Sequence, residues 1–141
     1  MMVSTRGRYA LRVMLDLADH ATEKNVPMKD VAERENLPLK YLEQILPVLT
    51  KNGMIEGCHG KGGGYRLTRE PQQYTVEEIL RLTEGSLAPV ACIDGVAPCV
   101  RADKCRTLPM WEQLDGIISE YLSGITLEDL LSGEKWKKDN K

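Results

Sequence analysis

The sequence has no long apolar segment, and several short motifs that mark common protein classes are missing. No apolar run approaches the roughly 18 to 20 residues of a membrane-spanning helix, and the first residues, MMVSTR, lack the apolar stretch of a signal peptide. We therefore expect a cytoplasmic protein with no membrane partner. The glycine-rich segment 60–64 lacks the Gly-Lys-Ser/Thr ending of a phosphate-binding loop. The absence of a Cys-x-x-Cys pair argues against a thiol oxidoreductase.

The chain also lacks an overall excess of positive charge. Its 141 residues carry 19 Lys and Arg against 21 Asp and Glu, for a net charge of −2. Residues 1–70 hold 11 of the basic and 9 of the acidic side chains, and residues 71–141 hold 8 and 12. A mildly basic N-terminal half is compatible with DNA contact but does not demonstrate it.

Apolar residues recur at helical spacing in six segments. The predicted helices run from Ser4 or Thr5 to about Ala21, and over 28–35, 39–51, 75–84, 109–124 and 126–131. Thr75 and Thr126 are predicted N-caps, and Glu78 is expected to complete a capping box with Thr75. Pro47 falls inside the third helix and predicts a kink there.

Two short extended segments, 54–58 and 65–68, flank the glycine-rich tip and predict a β-hairpin. The order of three helices, hairpin, helix, loop and long helix indicates a mainly α fold, a winged helix-turn-helix with a long C-terminal dimerisation helix. The expected divisions are a DNA-binding domain over 1–84, a cysteine-bearing sensor loop over 85–108, helices over 109–134 and a disordered tail over 135–141.

A helix-turn-helix places the start of its second helix against base edges in the major groove. The candidate DNA contacts are Thr5, Arg6 and Arg8 on the first helix, Leu39, Lys40, Tyr41 and Gln44 at the start of the third, and His59, Lys61, Gly62, Gly63 and Arg66 in the wing. Lys40 can reach phosphate or guanine, and Gln44 can pair with adenine. Three consecutive glycines exceed what a structural hairpin needs, which favours a functional tip over ordinary solvated side chains.

Three of the four cysteines are clustered as Cys92-x6-Cys99-x5-Cys105, while Cys58 lies alone in the wing. In a reducing compartment such clustering favours metal or redox chemistry over structural disulfides. Thiols without metal remain an alternative. Zinc is disfavoured because the paired Cys-x-x-Cys knuckles are missing.

Five motifs together resemble the Rrf-type family of bacterial winged-helix transcription regulators, over nearly the whole chain. They are STRGRYA at 4–10, YLEQIL at 41–46, KNGMI at 51–55, GKGGGY at 60–65 and ITLEDL at 125–130. The resemblance implies a homodimer bridged by the long helix, which binds a palindromic operator in double-stranded DNA and usually represses. An apolar set on that helix supports the dimer interface independently, with packing inside one chain as the alternative: Trp111, Leu114, Ile118 and Tyr121.

The resemblance further implies an iron–sulfur cluster held by Cys92, Cys99 and Cys105, of the 2Fe–2S type or alternatively 4Fe–4S. The spacing between the first two cysteines is one residue longer than in the family pattern. Leu108 stands where a family histidine completes the ligand set, and Arg8 where other members use an acidic residue. The fourth ligand is therefore unidentified. Cys58 lies in the wing, apart from the loop, and the remaining candidates are His20, Asp16, an exogenous thiol or water.

We consider three functional hypotheses. The first is a non-enzymatic repressor in which gain, loss or oxidation of a cluster rearranges the loop 92–105 and changes operator affinity in response to iron–sulfur, redox or nitric-oxide status. The second is a metal-free family member that responds to a thiol metabolite or a partner protein. The third, from another class, is a thiol or metal-carrier protein.

Overall fold

The computed structural model describes residues 3–20, 25–95 and 100–138. Within them the chain forms six α-helices and one antiparallel strand pair. The elements are α1 (Thr5–Asp19), α2 (Met28–Glu35), α3 (Leu39–Lys51), β1 (Ile55–Cys58), β2 (Gly64–Leu67), α4 (Val76–Glu84), α5 (Leu108–Ser123) and α6 (Leu127–Ser132), with 3₁₀ turns at Pro71–Gln73, Ala91–Ile93 and Glu134–Trp136. The mainly helical winged fold is confirmed.

The first three helices pack around one apolar core. Ser4 caps α1 by accepting a hydrogen bond from the Gly7 amide, and Asn36, in a left-handed conformation (φ 51°), ends α2. Pro38 then starts α3, which continues through Pro47 to Lys51. The core combines residues from all three helices with the base of the hairpin: Ala10, Val13, Met14, Leu17, Val31, Leu42, Ile45, Leu49, Met54 and Ile55.

The hairpin packs against this core at its base. Ile55 pairs with Leu67 at one end of the ladder and Cys58 with Gly64 at the other. Tyr74, fully buried, fastens the base through its hydroxyl, which donates to the Met54 carbonyl oxygen at 2.7 Å. The same hydroxyl oxygen accepts the amides of Thr68 and Arg69 at 2.9 and 3.0 Å. A buried phenol is thereby fully paired.

A bridge from Val26 extends the hairpin sideways, which the sequence did not predict. The Val26 amide donates to the Tyr65 carbonyl and the Tyr65 amide to the Val26 carbonyl, both at 2.9 Å. The segment that leads into α2 therefore joins the wing to the helical core.

A second, smaller apolar cluster lies where α4, α5 and α6 meet α1. Its buried members are Val76, Leu80, Leu87 and Ile125. Thr126 caps α6 in a reciprocal capping box with Asp129. The Thr126 amide donates to Asp129 Oδ2 at 2.9 Å, and the Asp129 amide donates to the Thr126 hydroxyl oxygen at 3.1 Å. The predicted cap is therefore confirmed.

Three expectations about local structure need correction. Thr75 caps α4 through the Glu78 amide, but the Glu78 carboxylate binds Arg69 at 3.0 Å, so the predicted capping box is only half formed. The first helix ends at Asp19 rather than near Ala21. The chain also forms a regular turn at Glu134–Trp136, where a disordered tail was predicted from residue 135. In the described chain, no helix has the length and apolar character needed to cross a membrane.

Candidate nucleic-acid interface and cysteine loop

The first turns of α3 are open to solvent, although the rest of the helix is anchored in the core. Leu42 and Ile45 are fully buried and hold the helix. Around them, all four predicted contact residues are exposed: Leu39, Lys40, Tyr41 and Gln44. Leu39 keeps 49% of its surface and Tyr41 37%, and exposure of such large apolar and aromatic side chains at a helix start suits a contact surface.

The start of α1 lies beside this end of α3. The rings of Tyr9 and Tyr41 meet edge to face, with centroids 5.3 Å apart. The Arg12 guanidinium lies over the Tyr9 ring, 5.7 Å from its centroid. It also donates to the backbone carbonyl oxygen of Glu35. The predicted contacts of α1 lie on its first two turns, with Arg6 and Arg8 exposed and Thr5 half-buried.

The wing presents a small exposed tip. His59, Lys61 and Gly62 are exposed, and the tip is tied back by the Asn25 side-chain amide, 3.4 Å from the Gly62 carbonyl oxygen. Arg66 is exposed too, but its guanidinium forms an ion pair with Glu56 on the paired strand. An Arg66 contact with DNA would first require that pair to open.

The glycines of the wing have a structural purpose that the sequence interpretation missed. A Cβ atom on Gly63 would overlap the carbonyl oxygens of Cys58 and Gly60, and one on Gly64 would overlap the backbone of Val26. The argument that three consecutive glycines exceed structural need is therefore wrong for Gly63 and Gly64. Gly62 (φ 79°) has open space around it and is required only by its positive φ.

Two of the three clustered cysteines lie on described parts of the loop between α4 and α5. Cys92 and Cys105 are half-buried free thiols, whereas Cys99 lies outside the described residues. The Cys105 sulfur is 3.3 Å from the Thr107 hydroxyl oxygen. Hydrogen bonds from the Thr107 side chain, and then from its backbone, hold the pKa of Cys105 below its ordinary value. A thiol that ionises readily is a suitable donor for an iron–sulfur cluster.

A complete ligand set is not formed among the described residues, which do not include Cys99. No group of three His, Cys, Asp or Glu side chains converges within 3–20, 25–95 and 100–138. Asp16, one of the candidates, is buried and bound by both nitrogens of the Arg34 fork at 2.7 and 3.0 Å. Its carboxylate is therefore already engaged by Arg34. His20 points its Nδ1 at the Asp16 carbonyl oxygen, 2.8 Å away, and Leu108 is the first residue of α5.

Sequence reasoning missed the Asp16–Arg34 pair, which ties α1 to α2. The signal that could have found it is the position of Asp16 on the apolar face of α1, between Val13 and Leu17. A charged side chain there must be paired if it is to be buried.

One face of α5 is bare. In the described chain the helix buries none of its residues, and four large side chains at spacings of four, three and four form an exposed stripe: Met110, Leu114, Ile117 and Tyr121. Of the predicted interface residues, Leu114 and Tyr121 lie on this stripe, while Trp111 and Ile118 are half-buried. We call Met110, Leu114, Ile117 and Tyr121 the α5 stripe.

The opposite side of α5 is joined to α4 by a polar contact. The Ser119 hydroxyl donates to Glu77 Oε1 at 2.8 Å, and Arg81 binds the same oxygen at 2.7 Å. The hydrogen bond from Arg81 is the main cause that lowers the pKa of Glu77 from its ordinary value. Burial opposes it, and the hydrogen bond from Ser119 adds a smaller lowering effect.

Comparisons with known proteins agree with this architecture. Along the sequence, the chain is 36% identical over 135 residues to the HTH-type transcriptional regulator IscR of Photorhabdus laumondii, covering 96% of this chain and 82% of that regulator. Among solved structures, CymR, the global cysteine regulator of B. subtilis, superposes with a TM-score of 0.77 at 34% identity, over 94% of this chain and 97% of CymR. T. potens IscR superposes with a TM-score of 0.76 at 34% identity, over 100% and 94% of the two chains.

A family model covers almost the entire described chain. The Rrf2 model, described as "Iron-dependent Transcriptional regulator", matches residues 3–133. The predicted resemblance is thereby confirmed, and the relatives are transcriptional regulators rather than enzymes. The chain belongs to the Rrf2 family of transcriptional regulators.

Proposed function

We propose that this chain binds an operator in double-stranded DNA as a homodimer and adjusts its affinity through the cysteine loop. The observation that carries the proposal is the exposed first two turns of α3 on a helix whose other face is buried in the core. A helix held in this way can enter the major groove without losing its own packing.

The side chains at this helix start suit base and phosphate recognition. Lys40 supplies a point charge for a phosphate or a guanine, and Gln44 supplies the paired donor and acceptor that match adenine. The wing tip, with His59 and Lys61, is proposed to lie on the backbone or minor groove of the same duplex. This proposal requires α3 and the tip to face the same side of the molecule.

A palindromic operator follows from the proposed homodimer. The α5 stripe is an exposed apolar surface, and the same stripe on a second copy of the chain can bury it in a two-fold symmetric interface. Two α3 helices related by a two-fold axis then read two half-sites about one helical turn apart, or a multiple of it.

The DNA proposal is tested by selecting bound duplexes from a random-sequence pool and titrating the selected site against salt. We expect a palindrome, with an affinity that falls steeply as salt rises. Lys40→Ala should lower the slope of log affinity against log salt by about 1 if the lysine holds a phosphate. Gln44→Ala should relax discrimination at one A·T pair by about 1–3 kcal/mol.

Lys51→Ala is the matched control for Lys40→Ala, because Lys51 is an exposed lysine at the far end of the same helix. It should leave both the slope and the selected sequence unchanged. A pool from which no sequence is enriched, with binding indifferent to salt, would refute a DNA-binding regulator and favour the carrier-protein hypothesis.

The sensory part of the proposal concerns Cys92, Cys99 and Cys105, which would hold an iron–sulfur cluster. When bound, such a group supplies reversible oxidation and sensitivity to iron supply, oxygen or nitric oxide. Hydrogen bonds from Thr107 lower the pKa of Cys105, which favours the thiolate that binds metal. Cys105 lies three residues before α5, so a change at its sulfur acts on the start of the proposed dimer helix. In this proposal the chain acts as a repressor, as the family resemblance implies.

Purification without oxygen tests the cluster. We expect coloured protein with bound iron and sulfide, and loss of both in the triple variant Cys92→Ala, Cys99→Ala, Cys105→Ala. Cys58→Ala is the control, because Cys58 is an exposed thiol on β1, and it should keep the colour. Colourless, iron-free protein whose triple variant still regulates normally would refute the cluster. A response that then requires a thiol reagent would favour the metal-free alternative.

A further inference from the structure

The start of α1 is held by a side chain that lies eighty residues away in the sequence. The Ser4 amide and the Ser4 hydroxyl both donate to Glu84 Oε1, at 3.0 and 2.5 Å. The Ser4 hydroxyl oxygen in turn accepts the Gly7 amide at 3.3 Å. One carboxylate oxygen at the end of α4 thus fixes the residue that caps α1.

The residue type at position 7 shows how closely the two helices approach. A Cβ atom on Gly7 would overlap Glu84 Oε1 and come within 3.1 Å of both Leu80 and Val3. Glycine inside a helix costs about 0.5–1 kcal/mol relative to alanine. Here the missing side chain of Gly7 leaves room for the Glu84 carboxylate. The Ser4–Glu84 contact therefore depends on residues of both α1 and α4.

We propose that Glu84 is a positioning residue for DNA binding, which sets the place of the first turn of α1 without contacting the duplex. This inference rests on the proposed function, in which Arg6 and Arg8 neutralise phosphates. A carboxylate at a helix N-terminus is favoured by the helix dipole. Because Ser4 and Glu84 already occupy that terminus, phosphate would be held by the two guanidinium groups rather than by the helix end itself.

Two contacts connect this turn to the rest of the proposed interface. Arg8 donates from Nη2 to the Thr5 hydroxyl at 3.3 Å, which keeps its side chain near the first turn. One turn further along, Tyr9 meets Tyr41 of α3. A shift at the start of α1 would therefore move Arg8 relative to the residues that read bases.

A double-mutant cycle tests the proposal, with the selected operator duplex as probe. We expect Glu84→Ala to weaken binding on the order of tenfold and to lower the salt slope by about 1 to 2, as the loss of phosphate contacts does. In the background Arg6→Ala, Arg8→Ala, the same change should weaken binding less than about twofold, because the groups that it positions are already gone. Glu84→Gln, which keeps an acceptor oxygen for Ser4, should restore most of the affinity.

Two further variants separate positioning from stability. Glu78→Ala removes another hydrogen-bonded carboxylate of α4, one that binds Arg69 instead of α1, and should leave the salt slope unchanged. If Glu84→Ala does not fold, Ser4→Gly replaces it, since glycine is tolerated at an N-cap and removes the shorter of the two bonds to Glu84. It should lower the salt slope in the same direction.

Equal losses for Glu84→Ala in both backgrounds, or an unchanged salt slope, would overturn the inference and leave DNA binding intact. A glutamine variant as weak as the alanine variant would also overturn it, since charge rather than position would then matter. If the double arginine variant itself keeps full affinity and slope, the DNA-contacting role of α1 fails first.

Discussion

Two helices of nearly equal length, α1 and α5, use their apolar residues in opposite ways. In the described chain, α1 buries seven of its fifteen residues, whereas α5 buries none of its sixteen. The buried face of α1 is covered by α2, α3, α4 and α6 of the same chain. The α5 stripe stays exposed in the described chain, although Trp136 donates from Nε1 to the Tyr121 hydroxyl at 3.4 Å and α4 contacts the other side of the helix.

The difference teaches that an amphipathic pattern reports a buried face without saying which molecule buries it. Each helix follows the same helical spacing of apolar residues. For α1 the burial is part of folding, so losing it should unfold the chain. For α5 the burial is proposed to be part of assembly, so losing it should separate protomers and leave each one folded.

The largest effect is expected from truncation of α1. Leu17→Ala, at a side chain that is 1% exposed, should lower the free energy of unfolding by about 2–5 kcal/mol, because it leaves a cavity in the core. Urea denaturation at a fixed protein concentration measures the loss. Leu114→Ala on the α5 stripe is the matched control, and in dilute protein it should cost less than about 0.5 kcal/mol. Similar losses for both variants would remove the contrast between the two helices.

Next in size is the effect of a charge on the α5 stripe. Ile117→Glu should convert the proposed dimer into a folded monomer, because a carboxylate buried at an apolar interface is costly to desolvate. Sedimentation velocity gives the mass, and circular dichroism confirms retained helix. Glu112→Gln, an exposed change elsewhere on α5, should leave the mass unaltered. A wild-type chain that sediments as a monomer would contradict the assignment of the stripe to a partner.

A smaller effect is expected just before α5, at Cys105. Thr107→Val removes the hydroxyl that lowers the pKa of Cys105, so the thiolate should form at higher pH. In metal-free protein, the pH profile of Cys105 alkylation, followed by mass spectrometry, should move upward. Cys58 in the same samples is the internal control and should keep its profile. An unmoved Cys105 profile would show that Thr107 does not control this thiol.

The smallest effect concerns the polar contact that holds α5 against α4. The pKa of Glu77 is lowered in the folded chain, chiefly by Arg81, so its contribution is complete above its ordinary value of 4.5 and is lost as pH falls below it. The thermal midpoint should therefore drop between about pH 5 and 3, and part of that drop should disappear in Glu77→Gln. Identical pH profiles for the two proteins would exclude Glu77 as a source of acid sensitivity.

Much of the fold could be predicted from local sequence because local rules govern it. Helix positions follow from apolar spacing, and the ends of α2, α4 and α6 follow from Asn36, Gly85 and Thr126, whose own conformations or hydroxyls create those ends. The exposure of Lys40 and Gln44 at the start of α3 was also predictable, since both fall off its apolar stripe. Tyr41 was expected on that stripe and is instead 37% exposed. Cap partners were less certain, as Glu78 shows by binding Arg69 instead of its own helix end.

Contacts between distant segments escaped prediction. Ser4 with Glu84, Asp16 with Arg34 and Val26 with Tyr65 each join residues that no local pattern relates. The same holds for the wing glycines, where Gly63 and Gly64 are required by backbone that lies close only after folding.

The sequence by itself determined the helices, the hairpin, the family and the clustering of the cysteines, because spacing and motif are properties of the chain alone. Only the tertiary structure decided that Gly7 makes room for a carboxylate and that Arg66 is engaged by Glu56. It also decided that the exposed stripe of α5 includes Met110 and Ile117 in place of Trp111 and Ile118. The physical reason is that burial and pairing depend on which surfaces meet, and helices and strands of the same pattern can meet in more than one way.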